Sequence, residues 1–409
     1  MKRIFNNALS IALVTTIIFG TTQLQAKNSN LKKNITISQR NLHKRFIKRN
    51  PVSPEIAEKL QSALDEVVAE KGVGASIKVT SSLGTWAVTS GVSNLETQTP
   101  VQPEDKFQIA SVTKTFTAVV ILKLAEEGKL SLDDTLEKWL PNIAKNIPDG
   151  NNITIRQLLN GSSGIYNFAE DENSPFFQEV LKNPQRQWKP EELVAYSYRK
   201  ERQDWVYPNT GFIIAGMIIE KATGSSIATE IRRLISKPLG LQNTFFYTEE
   251  IPGGLVNGYI DIPPGDGNLD DVSFVNISFA GAAGGLISTP EDMTRFFQAL
   301  LKGKLLKPSS LKQMFTSVDA DEPDYSINPR YGLGIRLFKV ETPELGKFTW
   351  IGHGGTNAAS GFGAGMWLYP ELGVMLVYTE NVQKPGKGTG IALTVLETLS
   401  EINRLNQDK

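Results

Sequence analysis

The chain has 409 residues, 43 Lys+Arg against 43 Asp+Glu, no cysteine, and two histidines, His43 and His353. Without Cys there is no disulfide framework, thiol nucleophile, zinc finger or lipidated Cys anchor, and two His exclude a multi-histidine metal site, leaving only a carboxylate metal site open. At 40% hydrophobic and 21% charged, the composition is that of a globular protein with a sizeable core, and the net charge of zero averages a basic arm (ten Lys/Arg and no acid in residues 1–52) and an acidic body (33 basic and 43 acidic residues in 53–409).

Met1-Lys2-Arg3, the apolar run Ala8 to Gly20 and the small-residue ending Leu24-Gln25-Ala26 read as a secretory signal peptide cut after about Ala26. The run is shorter than the roughly 20 apolar residues of a membrane span, the alternative reading being an uncleaved anchor. Residues 27–52 lack hydrophobic periodicity and carry eight basic residues, so they read as a flexible arm: a solvated linker, or a peripheral contact with anionic lipid or wall polymer. Nucleic acid is not an expected partner for an exported chain with an acidic body.

Ser53-Pro54-Glu55 is a helix start and Gly72 a stop, which predicts a helix over 54–71. Ala75–Thr80 and Thr85–Ser90 read as a hairpin turning at Ser82-Leu83-Gly84. Helices are predicted over Val112–Glu127, Thr154–Leu159, Glu191–Arg199, Gly211–Ala222, Ile227–Ile235 and from the cap at Thr289 to about Leu301. Tyr331–Phe338, Phe348–Gly352, Gly361–Tyr369 and Gly373–Thr379 are β-rich, with Pro370-Glu371-Leu372 turning between the last two, and Ile391–Leu405 reads as a closing helix. The expected class is α+β: one antiparallel sheet built from both ends of the body, flanked by N- and C-terminal helices, with an all-α subdomain inserted at about 130–290.

No serine satisfies Gly-x-Ser-x-Gly, so a nucleophile elbow has no support. Ser-x-x-Lys occurs four times: Ser29/Lys32 in the arm, Ser197/Lys200 and Ser309/Lys312 in polar segments expected to be exposed, and Ser111/Lys114 at the head of an apolar run. At a helix N-terminus the unpaired N–H groups and the dipole favour a developing alkoxide, and a lysine three residues on shares the serine's face. Desolvation favours its neutral amine, a usable base. The same pattern fits an N-capping serine followed by a lysine reaching the surface. Tyr207-Pro208-Asn209 offers a phenol that can carry protons and an amide that can hold a carbonyl, or else a turn with Asn209 as N-cap. His353-Gly354-Gly355-Thr356, at the end of the strand 348–352, lets a ligand backbone approach and gives the Thr356 N–H to an oxyanion, or else makes a glycine-rich hairpin turn.

Taken in order, Ser111-x-x-Lys114, Tyr207-x-Asn209 and His353-x-Gly355 resemble the motif trio of the penicillin-recognising serine hydrolases, in the branch of class C β-lactamases, secreted serine D-alanyl-D-alanine carboxypeptidases and related esterases. The resemblance continues through FQIASVTKTFTAVV, LAEEGKLSLDD, ITIRQLLNGSSGIYNF, YPNTGFIIAGMIIEKATG, AGAAGGLISTPEDM and YGLGIR, covering roughly residues 55–400. It implies a β-lactamase/transpeptidase-like fold, no cofactor and no metal. It also implies Ser111 as acylated nucleophile, with Lys114 and Tyr207 sharing the proton handling as a coupled pair. Asn209 and His353 would contact the substrate, and the Ser111 and Thr356 N–H groups would form the oxyanion hole beside Gly355. Arg336 would receive a substrate carboxylate, and Phe279 would stand in an aromatic wall where relatives carry Trp. Three departures are visible: Gly354 lacks the hydroxyl found there in the carboxypeptidase, Pro208 removes an N–H, and Gly161 stands where many relatives have His. The expected activity is that of an exported, monomeric, periplasmic or secreted D-alanyl-D-alanine carboxypeptidase or related D-amino-acid peptidase, taking a peptidoglycan stem peptide or other small acyl substrate and acylated by β-lactams. The alternatives are a β-lactamase or carboxylic-ester hydrolase, and a catalytically silent wall-binding module.

Overall fold

The computed structural model describes residues 53–407 except 72, 170–173, 248–251, 262–267, 322–327 and 384–389, so the signal segment 1–26 and the arm 27–52 with His43 lie outside the described residues. Helix α1 (Pro54–Lys71) leads into strands β1 (Gly74–Ser81) and β2 (Gly84–Asn94), which pair as the expected hairpin. A two-residue strand β3 (Thr99–Pro100) follows. The rest of the main sheet comes from far along the chain: β4 (Val318–Asp319), β5 (Arg330–Tyr331), β6 (Arg336–Thr342), β7 (Gly346–Asn357), β8 (Phe362–Tyr369) and β9 (Val374–Glu380). Every pairing is antiparallel, in the order β3-β2-β1-β9-β8-β7-β6-β5-β4.

The two central strands β8 and β9 are buried along their whole length, and period-two alternation sorts their side chains between two cores. Ala364, Met366, Leu368, Met375 and Val377 face the inserted helices, whereas Trp367, Tyr369, Leu376 and Tyr378 face the terminal helices. On that second face Ile56, Leu60 and Leu64 of α1 meet Ile391, Val395, Leu396 and Leu399 of the last helix, spaced three and four apart as one helical stripe requires.

The first core is centred on α2 (Thr113–Glu126), whose side chains from Thr113 to Leu122 are all buried. A helix opening Thr-Lys-Thr-Phe-Thr can be buried because its polar groups find partners. Thr115 Oγ1 donates to Gly334 O at 2.8 Å, Thr117 Oγ1 to Ala282 O at 2.8 Å, and Thr113 Oγ1 accepts the Leu286 N–H at 3.1 Å. Phe116 stacks on Phe296 with ring centroids 3.7 Å apart.

Several expectations need correction. The insertion is mainly helical but not all-α: Leu286–Ser288 pairs with Phe107–Gln108 on one side and Phe245–Phe246 on the other, and Tyr259–Ile260 pairs with Asp270–Asp271. The run 331–338 is two strands, because Gly332 N–H bonds Ile335 O and Gly334 takes φ +65°. The helix at 191 is only Pro190–Ala195. The helix from Ile227 continues past Lys237-Pro238 to Leu239, with a π-helical turn over 232–236, and ends at Gly240 with φ +63°. Strand β7 runs to Asn357, so His353-Gly354-Gly355-Thr356 lies inside a strand, neither at its end nor in a turn. Ser197 is buried rather than exposed, donating to Tyr166 O, while the exposed Lys200 lays its amine over the Tyr166 ring at 5.3 Å; Ser309 and Lys312 are exposed.

Candidate active site

Ser111 sits in a 3-10 turn, Ala110–Val112, immediately before α2. It is half-buried while residues 112–122 after it are closed off, so the hydroxyl is the reachable end of a buried stretch. Ala110 holds φ 45°, a left-handed conformation that costs a non-glycine residue about 1–2 kcal/mol and fixes how Ser111 is presented. Nothing in the sequence signals that strain, because glycine is the residue that usually marks it.

Lys114 is fully buried, with Nζ 3.0 Å from Ser111 Oγ and donating to Ala283 O at 2.9 Å. The short helix Gly281–Gly284 therefore supplies a main-chain acceptor that orients the amine. The surface-lysine alternative is thereby excluded. Tyr207 precedes helix α3 (Asn209–Thr223), and its ring lies between two cations: Lys114 Nζ and Arg336 Cζ are each 4.8 Å from its centroid. Asn209 is the first residue of α3 and half-buried; Pro208 occupies the cap position without a side-chain cap, so Asn209 is not the N-cap.

Pairing between β6 and β7 stops at Arg336 and Gly352, so residues 353–357 keep only β8 as strand neighbour. In an antiparallel ladder alternate N–H groups then point away from β8, which is what an oxyanion hole at Thr356 requires. This stretch packs on the turn carrying Ser111: a Cβ at Gly355 would lie 2.3 Å from Ser111 N. Any side chain there would have to displace the backbone of Ser111. Thr356 is exposed at the site's rim. Gly161, with φ +82°, leaves its space to Trp205, whose indole donates to Asn160 O, so a histidine has no room there.

His353 has a different place from the substrate contact expected of it. It is fully buried, with Nδ1 2.6 Å from Gly354 O and Nε2 2.8 Å from Tyr331 Oη. A carbonyl only accepts, so Nδ1 carries the proton and Nε2 accepts from the Tyr331 hydroxyl. Burial first, and then the charges of Arg336 and Lys114, hold His353 well below the ordinary histidine range, opposed only by the Gly354 carbonyl. Arg336 begins β6 with its guanidinium also 5.6 Å from the Phe338 ring. Phe279 lies in the 3-10 turn Ile277–Ala280, packed edge-on against Phe176 at 5.6 Å, directly before the helix that holds Lys114. Tyr331 and the Ala283 carbonyl carry no local signal of a role, although both lie in segments that carry the family resemblance. Among the described residues no cluster of three or more His, Asp or Glu is placed to hold a metal ion.

The His353 environment has a consequence for stability. Below about pH 6.5 the unfolded chain takes up a proton at this residue that the folded chain does not. Stability is therefore whole above that pH and falls on acidification, by up to about 1.4 kcal/mol per pH unit until the folded-state value is reached. Urea unfolding at pH 7.5 and 5.5 should show a larger loss for the wild type than for His353→Gln; equal losses would sink the assignment.

A buried lysine on a half-buried serine, a tyrosine over that lysine and a glycine strand against the serine backbone define a serine hydrolase of the β-lactamase/transpeptidase-like fold. The Beta-lactamase family model matches residues 60–399, and the chain belongs to that family, one of penicillin-recognising serine hydrolases. It is 25% identical over 313 residues to "Penicillin-binding protein 4*" of Bacillus subtilis (strain 168), a match covering 72% of this chain and 64% of that one. The chain thus spans a little under two thirds of that relative's length. Among solved structures, a D-stereospecific amidohydrolase from Streptomyces sp. is 35% identical with TM-score 0.70, covering 83% of this chain and 97% of that chain. The D-amino acid amidase from Ochrobactrum anthropi SV3, complexed with L-phenylalanine amide, is 27% identical with TM-score 0.73, covering 86% and 99%.

Proposed function

We propose that this chain is an exported D-amino-acid peptidase, acting as a D-alanyl-D-alanine carboxypeptidase or a close variant of one through an acyl-enzyme on Ser111. The observation that carries the reading is the 3.0 Å contact between Lys114 Nζ and Ser111 Oγ beneath the Tyr207 ring. Ser111 Oγ attacks the scissile carbonyl as its proton passes to the Lys114/Tyr207 pair, and the carbonyl oxygen takes the negative charge beside the Ser111 and Thr356 N–H groups. The pair returns the proton to the departing amine, and water then cleaves the ester by the reverse transfer, restoring the serine hydroxyl. Asn209 holds the acyl-side amide. Arg336, permanently charged and stacked on Tyr207, suits a terminal carboxylate on the leaving side, which favours a carboxypeptidase. β-Lactams are expected to acylate the same serine. The basic start and apolar run of residues 1–26 support export, and a monomer with an arm that touches wall or membrane only peripherally completes the reading.

A second reading, hydrolysis of simple D-amino acid amides, is favoured by the structural neighbour named a D-amino acid amidase, and the D-stereospecific amidohydrolase is compatible with it. Mass spectrometry of the intact protein after incubation with a D-Ala-D-Ala peptide, D-phenylalanine amide, penicillin and a short ester separates the two. The expected result is an acyl adduct on Ser111 with turnover fastest for the peptide. Faster turnover of the amide would replace the carboxypeptidase assignment with the amidase one, and no adduct from any of the four would remove both.

A further inference from the structure

The segment from Tyr331 to Arg336 crosses the site between β5 and β6 and is tied down along its length: Thr115 Oγ1 donates to Gly334 O, and Leu333 N–H to Met314 O. At its head Tyr331 is fully buried, and its hydroxyl donates to His353 Nε2 at 2.8 Å. The Tyr331 ring meets three others: Tyr207 edge-on at 6.0 Å and 90°, Trp205 at 6.1 Å, and the imidazole at 5.7 Å. On its other side the imidazole donates through Nδ1 to the Gly354 carbonyl, in the strand segment that presses on Ser111. One hydrogen-bonded chain thus joins the wall behind Tyr207 to the peptide plane just before Gly355 and Thr356.

We propose that Tyr331 and His353 form a hydrogen-bonded positioning pair that sets both the ring of Tyr207 and the main chain from Gly354 to Thr356, without itself touching substrate. The proposal rests on the serine-hydrolase reading and adds two residues that handle neither nucleophile nor leaving group. Its logic is that of a tautomer lock. Because Gly354 O can only accept, Nδ1 carries a proton; in the neutral ring that burial beside two cations favours, Nε2 then presents a buried lone pair that needs a donor. The tyrosine supplies one in the single ring position that also packs against Tyr207. Among the described residues, the charges that act on the imidazole are those of Arg336 from β6 and Lys114 from α2, both of which disfavour imidazolium, and the rings of Tyr207 ahead of α3 and Tyr331 from β5 pack against it. A misalignment of about 1 Å in groups of this kind is worth on the order of 100-fold in rate.

The test is the second-order rate of acylation by a fluorescent penicillin from pH 5 to 9 for the wild type, Tyr331→Phe, His353→Gln and the double variant, with thermal melts to show that each is folded. Each single change should slow acylation by about tenfold or more, in the maximal rate rather than in binding, and the double variant should be no slower than the worse single one, as for two parts of one device. Tyr331→Phe removes the hydrogen bond that favours the neutral imidazole, so its acid limb should move to higher pH. Wild-type rates with an unmoved acid limb, or losses that simply add, would overturn the pair. If penicillin and a fluorophosphonate both fail to label the wild type, the hydrolase reading has failed, and nitrogen-15 histidine NMR decides the pair separately. With His353→Gln identifying the resonance, a neutral Nδ1–H tautomer persisting below pH 6 supports it, and an imidazolium there overturns it.

Discussion

Ser111→Ala should abolish acyl-enzyme formation and lower turnover by about 10^4-fold or more, the loss seen when the nucleophile of a serine hydrolase is removed. The fold should survive, because Ser111 is half-buried in a single 3-10 turn and α2 is held by the partners of Thr113, Thr115 and Thr117. The check is active-site labelling with a fluorescent penicillin or a fluorophosphonate, read beside circular dichroism. A folded Ser111→Ala protein that still takes the label, or turns over within tenfold of the wild type, would show that another group carries the chemistry.

Lys114→Met is expected to be nearly as damaging for rate, by about 10^3-fold, but for a different reason. Methionine fills similar volume in the fully buried site, yet it cannot take the Ser111 proton or return one to the departing amine. It also leaves the Ala283 carbonyl without its donor, a cost of about 1–3 kcal/mol set against relief from burying an amine. Single-turnover acylation should therefore fall much further than the melting temperature does. A rate loss under tenfold would shift the proton handling to Tyr207 alone.

The pattern from Ser111 to Lys114 is legible because both residues belong to one helical turn, where spacing alone dictates proximity. The same holds for α1, for the hairpin of β1 and β2, and for the helix begun at Thr289, whose side chain caps the Asp292 N–H where the cap, proline and acid of its sequence place it. What stayed hidden depends on contacts between distant segments. His353-Gly354-Gly355 reads locally as a turn because two glycines weaken a strand; it is held extended by β8 on one edge and by the Ser111 turn against Gly355. Tyr331 gives no local sign that its hydroxyl will meet a histidine in another strand. Ala110 carries strain that only the surrounding packing can impose. The two-residue strands in the insertion are too short to show any periodicity, and the π turn at 232–236 changes the hydrogen-bond ladder without changing the apolar pattern that predicts a helix.

The two ends of the body meet in the main sheet at the pairing of β1 with β9, Ala75 opposite Glu380. The glycine segment that presses on the Ser111 turn is held along its other edge by β8, which pairs in turn with β9, so the site cannot exist in a chain that has been made only as far as Ser111, Tyr207 or even Arg336. The pairing of β1 with β9 joins segments roughly 300 residues apart, a long-range closure of the kind that slows folding. An enzyme built this way is silent until its last strand is in place, and a single cut that releases β9 should unmake the site without touching any residue in it.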